Sequence, residues 1–179
     1  VSDVRVAAGD MDGDGKDDII AGAGPGGGPR IKVLNLAGEV TKSFYPFSST
    51  FRGGADVTAG NISGDSKDEI ISAPFIDGSS YVRVHDENLD KIKEFRTYAN
   101  SYNSGIRISS ANFNTSTGYD EIGTMPYDHL AMFKVFNSSG NRERLSYPYE
   151  KWWIGKFDVE LTRGGYKVIG GDTRRTSIR

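Results

Sequence analysis

The sequence predicts an all-β fold, a β-propeller of four-stranded antiparallel blades, and three observations carry that prediction. The first is a repeat of 51 residues that runs through three copies and into a fourth. The second is the presence of four short apolar runs in each copy, separated by turn residues. The third is composition: 23 glycines against six prolines in 179 residues, 36% of them hydrophobic, suits many short strands joined by tight turns.

The repeat is read from positions 51 apart. Val4, Ala55 and Ile106 correspond, as do Val6, Val57 and Ile108. Asp10, Asn61 and Asn112 follow, then Asp18, Glu69 and Asp120, then Ile20, Ile71 and Ile122. Further on, Ile31, Val82 and Phe133 match, then Val33, Val84 and Val135. The aromatic sets Phe47, Tyr98, Tyr149 and Phe51, Tyr102, Trp153 close each unit. Phe157 and Val159 open a fourth unit in register. The divisions are therefore 1–54, 55–105, 106–155 and a partial unit 156–179.

Within the first unit, Val4–Ala8 alternates apolar and polar residues as a half-buried strand does. Asp18–Gly22 is a short apolar strand and Arg30–Asn35 alternates again. A turn at Leu36-Ala37-Gly38-Glu39 leads to a fourth strand over Val40–Phe47. Four strands in each of several units of roughly 40–50 residues is the pattern of propeller blades, whose stacking buries faces that one blade cannot. A β-solenoid is the rival architecture, but its repeats are usually shorter.

Composition excludes several functions. A net charge of -2 offers no field for phosphate backbones, so no nucleic-acid partner is expected. The chain has no cysteine, hence neither disulfides nor thiolate chemistry. Its apolar stretches are far too short for a membrane span. The chain opens with Val1 rather than Met, which reads as a processed or excised piece and leaves secretion open. His85 and His129 have no partner at metal-ligand spacing, and no serine–histidine–aspartate set can be assembled. The expectation is a non-enzyme. Gly22–Gly28 would cradle phosphate only ahead of a helix, and a strand follows it instead.

The first loop, Asp10-Met11-Asp12-Gly13-Asp14-Gly15-Lys16-Asp17-Asp18, places side-chain oxygens at alternate positions with glycines that permit a tight turn. Calcium takes about six to eight oxygen ligands at about 2.3–2.6 Å. Asp10, Asp12, Asp14 and Asp18 supply carboxylates, and Lys16 its backbone carbonyl. An EF-hand is excluded, because its position-twelve glutamate would fall on Ala21 and strands flank the loop. The second loop keeps oxygen-bearing groups at Asn61, Ser63, Asp65, Lys67 and Glu69 with less charge. The third offers Asn112, Asn114, Ser116, Gly118 and Asp120, with one carboxylate. The fourth shrinks to Thr162-Arg163-Gly164-Gly165, too short for calcium. Affinity should fall with ligand charge along the chain.

The run VAAGDMDGDGKDDIIAGAGPGGGPRIKVLN resembles the FG-GAP/VCBS repeat of integrin α-subunit propellers and bacterial surface proteins. That resemblance pairs the acidic loop with a Gly-Ala-Pro box at Gly22-Ala23-Gly24-Pro25 and Ser72-Ala73-Pro74, and Phe51-Arg52-Gly53-Gly54 resembles the segment that introduces a following repeat. It implies structural calcium at Asp10, Asp12, Asp14, Lys16 and Asp18, and an extracellular or cell-surface setting. Propellers of this kind usually close with about seven blades. Three and a half units therefore imply a fragment, an incomplete ring, or missing blades supplied by a second chain.

Aromatic residues recur near the fourth strand and the linker, where inter-blade packing accounts for them. Trp152 and Trp153 are the candidates for ligand contact, since Trp152 stands where earlier units carry Thr50 and Ser101. The function expected is a calcium-stabilised adhesion or scaffolding module binding a protein or carbohydrate surface. The alternatives are a lectin-like propeller and a propeller part of a larger polysaccharide-acting enzyme.

Overall fold

The structure, a computed structural model, describes residues 3–114, 118–128 and 132–147 in full and residues 156–162 and 165–171 as strands. Trp152, Trp153 and Ser116 lie outside the described residues. Three four-stranded antiparallel sheets follow one another. The first holds β1 (Val4–Gly9), β2 (Asp18–Ala23), β3 (Ile31–Leu34) and β4 (Val40–Phe44). The second holds β5 (Ala55–Gly60), β6 (Glu69–Pro74), β7 (Tyr81–His85) and β8 (Lys91–Arg96). The third holds β9 (Ile106–Ala111), β10 (Glu121–Pro126), β11 (Phe133–Phe136) and β12 (Arg142–Ser146). A hairpin of β13 (Lys156–Thr162) and β14 (Gly165–Gly171) comes after them. Each sheet is a simple meander, so every blade is local in sequence. This is the all-β, blade-by-blade architecture of a partial propeller. Strands β3 and β4 are shorter than their apolar pattern, because Asn35 is drawn into a turn and Pro46, lacking an N–H, cannot extend the ladder.

The core lies between sheets, since a lone sheet has nothing to cover either face. Between blades 1 and 2, Met11, Ile20, Ile31 and Val33 of the first meet Ala55, Val57 and Ile70 of the second. Between blades 2 and 3, Ile62, Ile71, Val82 and Val84 meet Ile106 and Ile122, with Ile108 packed against them. The phenol of Tyr98 crosses this second seam and donates to the carbonyls of Thr124 and Met132, both at 2.9 Å. Tyr98 thus packs between blades 2 and 3, and its counterpart Phe47 packs against the blade 1–2 core.

The turn after each third strand is built the same way. The side-chain oxygen of Asn35, Asp86 or Asn137 accepts from backbone N–H groups two and four residues on. A register shift accompanies the turn each time, between Val33 and Leu34, Val84 and His85, and Val135 and Phe136. Gly38 and Gly140 take the required positive φ, but Leu89 takes it in blade 2, at 68°. Its side chain packs against the blade 1–2 core, which holds this uncommon conformation in place.

Two sequence correspondences need correction, that of Asp18 and Glu69 with Asp120 and that of Ile20 and Ile71 with Ile122. Gly9 pairs with Asp18 and Gly60 with Glu69, but Ala111 pairs with Glu121, not Asp120. Strand β10 is displaced by one residue: the β9–β10 loop gained one and the β10–β11 loop lost one. Ile122 is therefore the counterpart of Ile19 and Ile70, and Gly123 that of Ile20 and Ile71. Packing agrees, because Ile70 and Ile122 each enter the core of the preceding blade.

His85 is buried at the end of β7 with its ring edge on Phe44, 4.8 Å between centroids. Burial, then the Arg83 and Lys91 charges, depress its pKa from 6.5 to about 4. The unfolded chain therefore takes up this proton at a higher pH than the folded one. Stability is full above about 6.5 and declines as pH falls toward 4, by roughly 1–3 kcal/mol. Urea unfolding at pH 7 and pH 4.5 checks this. His85→Leu, which installs the residue found at the matching Leu34, should flatten that part of the profile.

Candidate metal centre

Strands β1 and β2 end on the Gly9–Asp18 pair, so Asp10–Asp17 must turn back within eight residues. Gly13 and Gly15 make this turn with φ of 81° and 83°. Asp10 is its hub. Its Oδ1 accepts from Gly13 N at 2.7 Å and Asp14 N at 3.1 Å, and its Oδ2 from Gly15 N at 2.8 Å. Asp12 Oδ1 accepts from Asp14 N at 3.1 Å, and Asp14 Oδ1 from Lys16 N at 2.8 Å. These bonds wind the loop so that carboxylate oxygens of Asp10, Asp12 and Asp14 lie within 4.8 Å of one another.

The electrostatics fit a cation. Asp14 is held below its ordinary value by hydrogen bonding to Lys16, whose ammonium sits 3.1 Å from Oδ2. Asp18 is pushed up, first by burial and then by Asp12, with Asp14 and Asp10 adding to it. All the donors are hard oxygens, as calcium or magnesium requires, and no sulfur or imidazole is present. Exchanging the Lys16 ammonium for a divalent ion would free Asp14 Oδ2 and relieve the repulsion felt at Asp18.

The second loop differs. Glu69 is buried and its Oε2 accepts from Ile62 N at 2.8 Å and Ser63 N at 3.1 Å. Asn61 Oδ1 accepts from Gly64 N at 2.7 Å, and Asp65 Oδ1 from Lys67 N at 2.8 Å. Lys67 is turned away to Glu87, 2.6 Å distant. In the third loop, Glu121 accepts from Asn114 N at 3.0 Å, again seven residues back. Asn112 and Gly118 are described there, with Gly118 at a φ of 73°. A glutamate thus braces loops two and three from inside. Asp18, one methylene shorter, makes no such bond. Among the described residues the first loop alone gathers three acidic side chains.

The structure also reveals a contact between loops that the sequence reading passed over. Asp10 N donates to Asp68 Oδ2 at 3.0 Å, and Asp68 N donates to Asp10 O at 2.9 Å. The residue before β6 thereby clasps the first residue of the preceding blade's loop. Asp120 takes the same place before β10, with Asp120 N donating to Asn61 O at 2.9 Å. A Cβ on Gly9 would sit 2.9 Å from Asp68 Oδ2, and one on Gly60 2.6 Å from Asp120 Oδ2, so each clasp closes over a glycine. The available signal was the recurrence of Gly9 and Asp17 as Gly60 and Asp68, 51 residues on. On the inner strands, Asp56 lies 3.6 Å from Arg5 Nε and 3.8 Å from Arg107 Nη1, and both guanidinium groups cover the Phe75 ring. These three charges also stand 51 apart. They line a groove of about 650 Å³.

Residues 4–40 match the family model of the FG-GAP repeat. That span covers the acidic loop and the first three strands of blade 1. No curated protein matches the chain.

Asp68→Ala should destabilise the protein by about 1–3 kcal/mol, because it strands the part-buried Asp10 N–H. The urea midpoint reads this loss, and Asp65→Ala, in the same loop but outside the clasp, should cost distinctly less.

Proposed function

We propose that the chain is a calcium-stabilised segment of a β-propeller that acts outside the cell as a binding or scaffolding module, without chemistry of its own. The observation that carries the calcium reading is the convergence of the Asp10, Asp12 and Asp14 carboxylates, reinforced by the crowding that raises Asp18. A loop of this charge is costly to hold closed without a counter-ion. A divalent cation bound there ties β1 to β2. Through the bonds of Asp10 to Asp68 it also strengthens the seam between blades 1 and 2. Calcium therefore serves architecture: its ligands come from one loop and leave little room for a substrate. The match of residues 4–40 to the FG-GAP repeat supports the extracellular setting, where calcium is abundant enough for a modest site to fill.

The second and third loops contribute less. They carry fewer carboxylates, and Glu69 and Glu121 are buried with an oxygen on backbone N–H groups. A rigid stack of sheets with variable loops at its ends suits recognition of a large surface, protein or carbohydrate.

Thermal unfolding in excess calcium and again with chelator is the decisive measurement. At about 100–1,000 times Kd the ion should add about 3–4 kcal/mol. For a chain of this size that raises Tm by roughly 5–15 °C. Asp12→Ala should abolish most of the rise and Asp65→Ala little of it. An unchanged wild-type Tm would overturn the calcium reading.

A further inference from the structure

The row of charges on the inner strands is unbalanced where it meets an aromatic floor. Arg5, Asp56 and Arg107 are the second residues of β1, β5 and β9, so they stand at one level of successive blades. Asp56 commits its Oδ2 to Ile108 N at 3.0 Å. Its Oδ1 lies 3.6 Å from Arg5 Nε and 3.8 Å from Arg107 Nη1, near enough to attract but too far for a hydrogen bond. Neither nitrogen has a hydrogen-bond partner, although both atoms are buried. Two guanidinium groups thus share one carboxylate among the described residues. The other acid along the groove, Asp17, stands beyond the far end of β1, roughly 13 Å along the strand from Arg5.

The floor steadies this excess of positive charge without satisfying its donors. The buried Phe75 ring lies 4.1 Å from Arg5 Cζ and 3.7 Å from Arg107 Cζ, and the Tyr127 ring lies 5.1 Å from Arg107. Phe75 N donates to Gly54 O at 3.2 Å and Tyr127 N to Gly105 O at 3.1 Å, which fixes both residues just past β6 and β10. An aromatic face attracts a cation but offers no oxygen to its N–H groups. Two residues beyond Arg107, on the same side of β9, Ser109 is 5% exposed and its hydroxyl also has no partner. Its register partner is Gly123, which has no side chain to cover that hydroxyl. The groove of about 650 Å³ runs past all these donors, and the arginine side chains keep 22% and 16% of their surface open.

We propose that the floor of this groove binds a small carboxylate, held between the guanidinium groups of Arg5 and Arg107 with the Ser109 hydroxyl beside it. A carboxylate matches the planar fork of arginine, and its hydrogen bonds to a guanidinium are charge-assisted. Asp56 positions the two arginines, and the ligand supplies the second negative charge that the row lacks. Buried cations without a full counter-charge are costly, so the same imbalance that favours an anion rejects a cationic ligand. The site is separate from the acidic loop, and filling it does not involve the ion of that loop.

Benzoate is the probe, and benzamide, similar in shape but uncharged, is its control. Each is titrated at constant ionic strength into the isotope-labelled 179-residue chain, read by NMR at the arginine Nε–H groups. Benzoate should shift Arg5 and Arg107 saturably with a Kd of about 1 mM or below, while the exposed Arg52 stays in place. Benzamide should bind at least about 10-fold more weakly. Arg107→Lys keeps the charge beside Asp56 but loses the fork, and should weaken benzoate at least about 3-fold. Asp17→Asn, at the far end of the groove, should leave the benzoate affinity unchanged. Equal binding of benzamide, or shifts at Arg52 that match those at Arg5 and Arg107, would mean unspecific contact and sink the proposal. So would a wild-type titration that shows no saturation by about 20 mM. Inorganic phosphate binding more tightly than benzoate would assign the floor to a tetrahedral oxyanion and overturn the carboxylate.

Discussion

Every element of this protein depends on one constraint: a four-stranded sheet cannot bury its own apolar residues. The described residues include no helix to cover a sheet, and each sheet is a local meander. Burial becomes available only when one blade inserts its inner strands into the next. Ile70 and Ile122 show how narrow the contact is, each leaving its own sheet to complete the core of the blade before it. A fully buried side chain of this size contributes about 1.5–3 kcal/mol, so a few such insertions at each seam decide whether the stack holds. Stability is then a property of neighbours, as in other repeat architectures.

The loops obey the same logic with polar groups. A blade edge exposes backbone N–H and C=O groups that must be paired, and here they are paired partly across the seam. Asp68 and Asp120 meet the loop of the preceding blade through backbone and carboxylate together. Burial raises the pKa of both carboxyls, the electrostatic cost of placing acids at a junction. The first loop has crowded acids where the second and third have a glutamate folded inward. The first two loops differ in what they gather, three converging carboxylates in one and a buried glutamate on backbone N–H groups in the other.

Much of this was legible in the sequence, because a spacing of 51 residues repeats the strand pattern several times over. The four-strand unit, the acidic loop and the turn at Leu36-Ala37-Gly38-Glu39 all follow from residue type and position, whereas the entry of Asn35 into that turn does not. The one-residue displacement of β10 did not. An insertion before the strand and a deletion after it cancel, so Phe133 and Val135 return to register and hide the shift between them. Ile122 added to the concealment by lying at the spacing expected of Ile20 while packing as Ile19 and Ile70 do. The clasp was missed for a different reason: in an acidic loop, Asp17 and Asp68 look like two more surface charges. Their role exists only between units, which reading one unit at a time does not reach. The Arg5–Asp56–Arg107 row was hidden likewise, its signs alternating from blade to blade.

The glycines under the clasps give the stack a grammar. Units 1 and 2 carry Gly9 and Gly60 at that place and are followed by units with a full loop. Unit 3 carries Ala111, and the strands after it, β13 and β14, close on a Thr162–Gly165 pair with no loop to reach back. Copies of units 1 or 2 can therefore be strung together by duplication, each accepting the next. A copy of unit 3 placed before a full-loop unit would meet its aspartate with a methyl group. A single carbon atom at this place therefore decides whether a unit leaves room for the aspartate of a full-loop neighbour.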